Sequence, residues 1–382
     1  MHIKVLCIAL LAALLAACAT PAGEPSARLT VAEAMAGSAD AGFARAVEPR
    51  PFVFPQDHGP HPEYAIEWWY YTGNLADAAG RRFGFQLTFF RFGLAPEPPE
   101  RESAWATSSV WMAHFALSDV SAGRFYAFER FSRGAAGLAG AEGEPFRVWL
   151  EDWSAEGLGP QGTPMRLRAA QGDVALDLTL EAGKPPVLQG DRGLSQKSAE
   201  RGNASYYYSL TRMPATGTMR AGGAEHAVSG LAWMDREWST SALGPDQVGW
   251  DWFALHLDDG RDLMFYQLRL RDGASDPYSK GVLVAADGTS RRLARDEVTL
   301  ETTGEWTSPR TGGAYPAGWR LAVPAEGIDL TVTPLLADQE LPVTVTYWEG
   351  TVRVAGSATG YGYLEMTGYA DEAERGVVSR AP

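Results

Sequence analysis

Hydrophobic and polar residues alternate with a period of two through most of the chain, the pattern of strands whose opposite faces meet different surroundings. "AIEWWYYTGNL", "RRFGFQLTFFRF", "VWMAHFALSDV" and "RFYAFERFS" succeed one another, divided by turn-forming stretches such as "ADAAG" and "SAG". "PFRVWLEDWSAE", "MRLRAAQ", "VALDLTLEA", "NASYYYSLTRM" and "AVSGLAWMDREW" continue the series. In "EWWYYTGNL", Glu67, Trp69 and Tyr71 share one strand face, and Trp68, Tyr70 and Thr72 share the other. Bulky aromatics on both faces exclude a strand solvated on one side. They predict a barrel wall, one face lining the interior and the other packed against a second unit.

An internal repeat supplies that unit. "GNLADAAGRRFGFQLTFFR" (Gly73 to Arg91) parallels "LHLDDGRDLMFYQLRLR" (Leu255 to Arg271): strand, turn containing Gly-Arg, strand ending in Arg. Upstream, "WWYY" matches "WDWF" (Trp250 to Phe253); downstream, "DLTL" (Asp177 to Leu180) matches "DLTV" (Asp329 to Val332). "GLAWMDREW" (Gly230 to Trp238) matches "GYGYLEMTGY" (Gly360 to Tyr369). Two antiparallel domains are therefore expected, over 52–238 and 248–369, with "STSALGPDQ" as the crossover. Closure into barrels removes edge strands and leaves room for a small ligand.

Composition agrees with a turn-rich all-β protein: 42 Gly and 24 Pro in 382 residues, without a tripeptide period. The net charge of −14 argues against nucleic acid as a partner. "MHIKVLCIALLAALLAACAT" has a basic residue, a short apolar run and then small residues, the layout of a secretory signal over residues 1–18. Leu15-Ala16-Ala17-Cys18 resembles the lipobox of bacterial lipoproteins. That resemblance implies lipidation of Cys18 and a membrane anchor through several acyl chains. With Ala19 following, it also implies the periplasmic side of the outer membrane. Residues 19–51, rich in Ala, Gly, Pro and Ser, read as a flexible tether with a weak helix near Val31 to Ala36. Cys7 and Cys18 are the only cysteines, so a mature chain beginning at Cys18 has no disulfide and no Cys-ligated metal centre.

"HPEYAIEWWYYTGNL", "VWMAHFALSD", "LQGDRGLSQKS", "YYYSLTR", "GLAWMDREWS", "GWDWFALHLDDGRDLMFYQLR" and "GYGYLEMTGY" resemble the AttH-like family. This lipocalin-like group includes the bacterial carotenoid 1,2-hydratases (hydroxyneurosporene synthases). The resemblance spans about residues 50 to 370 and implies two tandem lipocalin-like antiparallel β-barrels. Where the hydratases carry His-x-Trp and Tyr-x-Asp, this chain has Tyr206-x-Tyr208 and Trp233-x-Asp235. The acid is kept and the histidine is not.

The residues themselves point to proton transfer. Trp233, Asp235 and Glu237 share a strand face, which places two carboxylates about 7 Å apart, able to divide acid and base roles. Beside an apolar lumen a carboxyl is pushed towards its neutral, proton-donating form. Trp233, Tyr206 and Tyr208 could stabilise a carbocation formed by protonating an alkene. The alternative is a structural network in which Arg236 or Arg91 holds Asp235 or Glu237. His114 is either a hydrogen-bonded core residue or a proton shuttle to Asp235. Glu67, Trp69 and Tyr71 are candidates for the cavity wall, Glu67 either meeting the ligand or pairing with an arginine such as Arg91 or Arg212. His58 and His61 have no firm third ligand nearby, and no metal or cofactor is expected. No Gly-x-Ser-x-Gly elbow supports a serine hydrolase. Two functions follow: a hydratase or isomerase of an isoprenoid or other apolar molecule, or a monomeric lipoprotein that binds or transfers such a molecule without chemistry. A secreted hydrolase is a further alternative.

Overall fold

The computed structural model describes residues 42–97, 102–240 and 243–371. Cys18, the expected signal, the expected helix near residues 31–36, and Ser241 and Ala242 of the crossover lie outside the described residues. Thirteen strands form the first sheet: β1 (Ile66–Asp77), β2 (Arg82–Gly93), β3 (Ser109–Asp119), β4 (Arg124–Arg133), β5 (Ala139–Gly143), β6 (Phe146–Leu150), β7 (Trp153–Gly157), β8 (Met165–Gln171), β9 (Val174–Leu180), β10 (Val187–Leu188), β11 (Leu194–Gln196), β12 (Ala204–Ala221) and β13 (Ala224–Ser239). Their order is β4–β3–β2–β1–β13–β12–β9–β8–β7–β6–β5, with β10 and β11 both on β12. The sheet curls on itself, so that Phe115 of β3 meets Trp153 of β7 edge to face at 5.7 Å.

The second sheet comprises β14 (Gln247–Leu257), β15 (Asp262–Leu270), β16 (Lys280–Val284), β17 (Ser290–Ala294) and β18 (Thr299–Thr302). After the separate hairpin of β19 (Glu305–Thr307) and β20 (Ala314–Pro316) it continues with β21 (Trp319–Val323), β22 (Ile328–Pro334), β23 (Glu340–Leu341), β24 (Tyr347–Gly356) and β25 (Gly360–Met366). Its order, β17–β16–β15–β14–β25–β24–β22–β21–β18, retraces the path of the first. In each unit a four-strand meander pairs its first strand with the unit's last. The matched segments occupy equivalent places: "WWYY" on β1 and "WDWF" on β14, "DLTL" on β9 and "DLTV" on β22, "GLAWMDREW" on β13 and "GYGYLEMTGY" on β25.

Strand parity sorts the aromatics of β1. Trp69 and Tyr71 enter the first barrel's core with Phe85, Leu87, Phe89 and Trp238. Tyr70, from the opposite face, packs between the two sheets with Tyr207, Trp233, Trp252 and Tyr266. The flexible tether expected to reach residue 51 ends earlier. Residues 42–51 lie on the first unit: Ala46 is fully buried, and the Tyr206 hydroxyl donates to the Glu48 carbonyl at 2.8 Å. An extended segment whose backbone groups find partners on a barrel wall is not a free linker.

Candidate functional site

A cavity lies between the two sheets, part of it open to solvent. On the first sheet β13 aims Asp235 and Glu237 into it. Register sets the neighbours: Asp235 lies opposite Tyr70 of β1 and Ser209 of β12, Tyr70 opposite Thr88 of β2, and Thr88 opposite His114 of β3. On the second sheet one row runs Glu349 (β24), Glu365 (β25), Trp252 (β14), Tyr266 (β15). Asp235, Tyr70 and His114 of the first row and all four residues of the second line the cavity, which places carboxyl groups on facing walls among tryptophans and tyrosines.

Asp235 is buried and has no cationic partner among the described residues. Trp233 Nε1 and Ser209 Oγ donate to its Oδ1 at 2.7 and 2.5 Å, and the Tyr207 hydroxyl donates to Oδ2. Trp252 Nε1 in turn donates to the Tyr207 oxygen at 3.2 Å, so the second sheet braces the Asp235 network. Burial pushes the Asp235 carboxyl up to about 7; the three hydrogen bonds oppose this, and the charge of Glu237 adds to it. Glu237 is compensated by Lys197 Nζ at 3.0 Å and accepts from Ser205 Oγ. Lys197 also stands over the Tyr266 ring, 4.5 Å from its centre.

The second wall also carries two carboxyl groups, Glu349 and Glu365. Burial raises the Glu365 carboxyl to about 8, against one hydrogen bond from Trp250 Nε1 at 3.2 Å and with repulsion from Asp235 and Glu237. Glu349 is fully buried and raised well above the usual carboxylate range by burial and then by Glu365. At neutral pH the cavity therefore holds protonated carboxyl groups in an aromatic setting, the condition for proton donation to a weakly basic carbon.

Several expected site residues lie elsewhere. Trp69 and Tyr71 face the first barrel's core, and the cavity takes Trp68 and Tyr70 instead. Tyr206 and Tyr208 likewise point into that core, leaving Tyr207 on Asp235. Aromatics on both faces of each strand conceal the parity, and the cavity lies between the barrels rather than inside the first. Glu67 is enclosed in the first barrel by Arg91 and Arg236, and accepts the His61 N–H at 3.0 Å. The two guanidinium groups overcome its burial and hold its carboxyl well below the usual range. Arg236 thus serves Glu67, not Asp235, and its guanidinium lies 3.8 Å from the Trp69 ring centre.

Trp233, Asp235 and Glu237 share a face of β13, but of the three only Asp235 and Glu237 line the cavity. Trp233, expected to meet the ligand, packs beside it with Tyr70, Tyr207 and Trp252 and holds Asp235 through its Nε1. His114 reaches the cavity, but three strands from Asp235, about 14 Å at ordinary strand spacing. There it binds the Tyr347 hydroxyl at 2.8 Å and Glu129 at 3.0 Å, so direct shuttling to Asp235 is not its geometry. His58 and His61 bind Tyr208 and Asp57 at 2.6 and 3.0 Å. Among the described residues no group of three or more His, Cys, Asp or Glu could hold a metal ion. Sequence reasoning missed Lys197, Glu349 and Glu365. The repeat carried a signal for the last: matching Gly230 to Gly360 sets Glu365 opposite Asp235.

Fold and cavity together define a tandem lipocalin-like protein with an aromatic cavity lined by buried carboxyl groups. The chain belongs to the AttH-like family, whose profile matches residues 45–369. The crystal structure of an AttH protein from Nitrosomonas europaea is 36% identical, covers 86% of this chain and 100% of its own, and superposes with a TM-score of 0.76. Kievitone hydratase from Nectria haematococca shares the fold at 15% identity, with a TM-score of 0.64 over 86% of this chain and 99% of its own. The dehydratase asqC of Emericella nidulans is 23% identical over 173 residues, 43% of this chain and 47% of that protein. The chain thus spans about half the length of that curated relative.

Proposed function

We propose that the protein hydrates or dehydrates, or shifts a double bond in, an isoprenoid-like or other apolar small molecule, with Asp235 as the proton carrier. The observation that supports this most is Asp235 itself: buried, hydrogen-bonded by Trp233, Ser209 and Tyr207, uncompensated by any cation among the described residues, and open to an aromatic cavity. Neutral Asp235 gives its proton to an alkene carbon, whose π pair becomes the new C–H bond. The neighbouring carbon is left cationic beside the faces of Trp68 and Trp252. Water adds there and returns a proton to the carboxylate; the reverse sequence is dehydration, and loss of a neighbouring proton isomerises the alkene. The hydratase and dehydratase among the similar proteins support the same class of reaction.

A carrier that holds the molecule without chemistry is the second reading, favoured by the distance between His114 and Asp235. We also propose that lipidated Cys18 holds the protein at the periplasmic face of the outer membrane, on the strength of the Leu15-Ala16-Ala17-Cys18 motif. The experiment for the reaction is incubation with farnesol, geranylgeraniol and squalene in oxygen-18 water, followed by mass spectrometry. A product carrying one labelled water, or a shifted double bond, is expected with the wild type and absent with Asp235→Asn. Unchanged substrates throughout, with each bound, would leave the carrier reading standing.

A further inference from the structure

We propose that Glu349 and Glu365, together with the Tyr70 hydroxyl, form a polar subsite that takes the single hydroxyl or carbonyl oxygen of an otherwise apolar, uncharged ligand. The subsite deepens the reading above by defining the ligand class, and it rests on that reading only for the location of the cavity.

Both carboxylate oxygens of Glu349 and the Tyr70 hydroxyl are buried without a hydrogen-bond partner in the structure. Tyr70 and Tyr347 both stand close enough to the Glu349 carboxyl to interact with it, but neither meets it in good hydrogen-bond geometry. A buried polar atom left unpaired costs about 1–3 kcal/mol, so polar groups converging on a cavity call for a partner from within it. Glu365, directly across the ladder from Glu349, has one oxygen on Trp250 Nε1. All three side chains line the cavity, whose remaining wall is mostly aromatic and aliphatic.

Charge narrows the class. The cavity is lined by Asp235, Glu237, Glu349 and Glu365, with Lys197 and His114 as the facing basic groups among the described residues. Lys197 is engaged by Glu237, and His114 by Tyr347 and Glu129. Among the described residues no uncommitted cation remains for a ligand carboxylate or phosphate, so an anionic lipid meets desolvation and repulsion together. Burial, with repulsion from Glu365 on Glu349 and from Asp235 and Glu237 on Glu365, keeps both largely protonated at neutral pH. In that form they donate as well as accept, which suits an alcohol or a carbonyl better than a hydrocarbon or an ammonium group. A ligand anchored there lies against the row that faces Asp235.

The test is a matched set of probes sharing one chain: farnesol, farnesene, farnesoic acid and farnesylamine. Binding is read at pH 7 from quenching of tryptophan fluorescence, since Trp68, Trp250 and Trp252 line the cavity. Farnesol is expected to bind at least about tenfold more tightly than the other three. Glu349→Leu, which replaces a buried carboxyl by an apolar group of similar size, should abolish the advantage of farnesol over farnesene. Glu365→Gln, a milder change, should reduce it. The inference is overturned if farnesol and farnesene bind alike in the wild type, if farnesylamine or farnesoic acid binds most tightly, or if the preference survives in Glu349→Leu. Absence of quenching by all four probes overturns it too. Because the readout is binding, a wild type that shows the preference but never turns over an alkene refutes the catalytic reading alone.

Discussion

Tyr70 and Trp252 occupy equivalent positions in the two repeats and meet edge to face, ring centres 5.2 Å apart, between the two sheets. Each lies directly opposite an acid on its neighbouring strand: Tyr70 opposite Asp235, Trp252 opposite Glu365. Those acids are equivalent as well. The site is therefore made where two copies of one wall face each other, and neither barrel contains it alone.

The parity of β1 gives the sharpest contrast between neighbours. Trp69→Ala removes a fully buried ring from the first core and should cost about 3–5 kcal/mol in urea unfolding. Trp68→Ala, from the cavity face, should cost far less stability but weaken farnesol binding at least about fivefold. The reverse pattern would return the site to the first barrel's interior.

Asp235 makes stability fall as pH rises. It titrates at about 7 when folded and near 4 when unfolded, so between these values the folded protein binds the extra proton. Its neutral form is accommodated below that window, and stability is lost as pH climbs through 7; Glu365 acts in the same sense up to about 8. Relative to Asp235→Asn, the wild type should lose on the order of 1 kcal/mol per pH unit between about 4 and 7, read from urea midpoints. A constant difference across that range would show that Asp235 is ionised throughout.

Glu67 has the opposite sign and a structural role. Its carboxylate, paired with Arg91 and Arg236, contributes stability above its unfolded value that is lost in acid. Glu67→Gln leaves two guanidinium groups uncompensated and should destabilise by about 3–5 kcal/mol. Turnover per folded molecule should stay within about twofold, which a ligand-contacting glutamate could not satisfy.

The Cys18 anchor is tested by fractionation. Cys18→Ser should move the protein from the membrane to the soluble fraction and remove the mass of the acyl chains. An unchanged distribution would refute the lipidation proposal.

Alternation, turn residues and the repeat suffice to determine an all-β chain of two related antiparallel units, because a period of two and a Gly-rich turn are local properties. They also determine which residues travel together: Trp233, Asp235 and Glu237 on one face, Met234, Arg236 and Trp238 on the other. Which face meets the cavity between the barrels was decided only by tertiary structure. Where both faces are apolar, as in "EWWYYT" and "SYYYSL", hydrophobicity does not distinguish a barrel interior from a contact between barrels. That choice puts Tyr207, Trp68 and Tyr70 on the cavity and Tyr206, Tyr208, Trp69 and Tyr71 in the first core. Long-range packing also gave Arg236 to Glu67 and Lys197 to Glu237, pairings that span many residues. It left Asp235, Glu349 and Glu365 without a cation among the described residues, and a carboxylate's neighbours in space set its proton affinity.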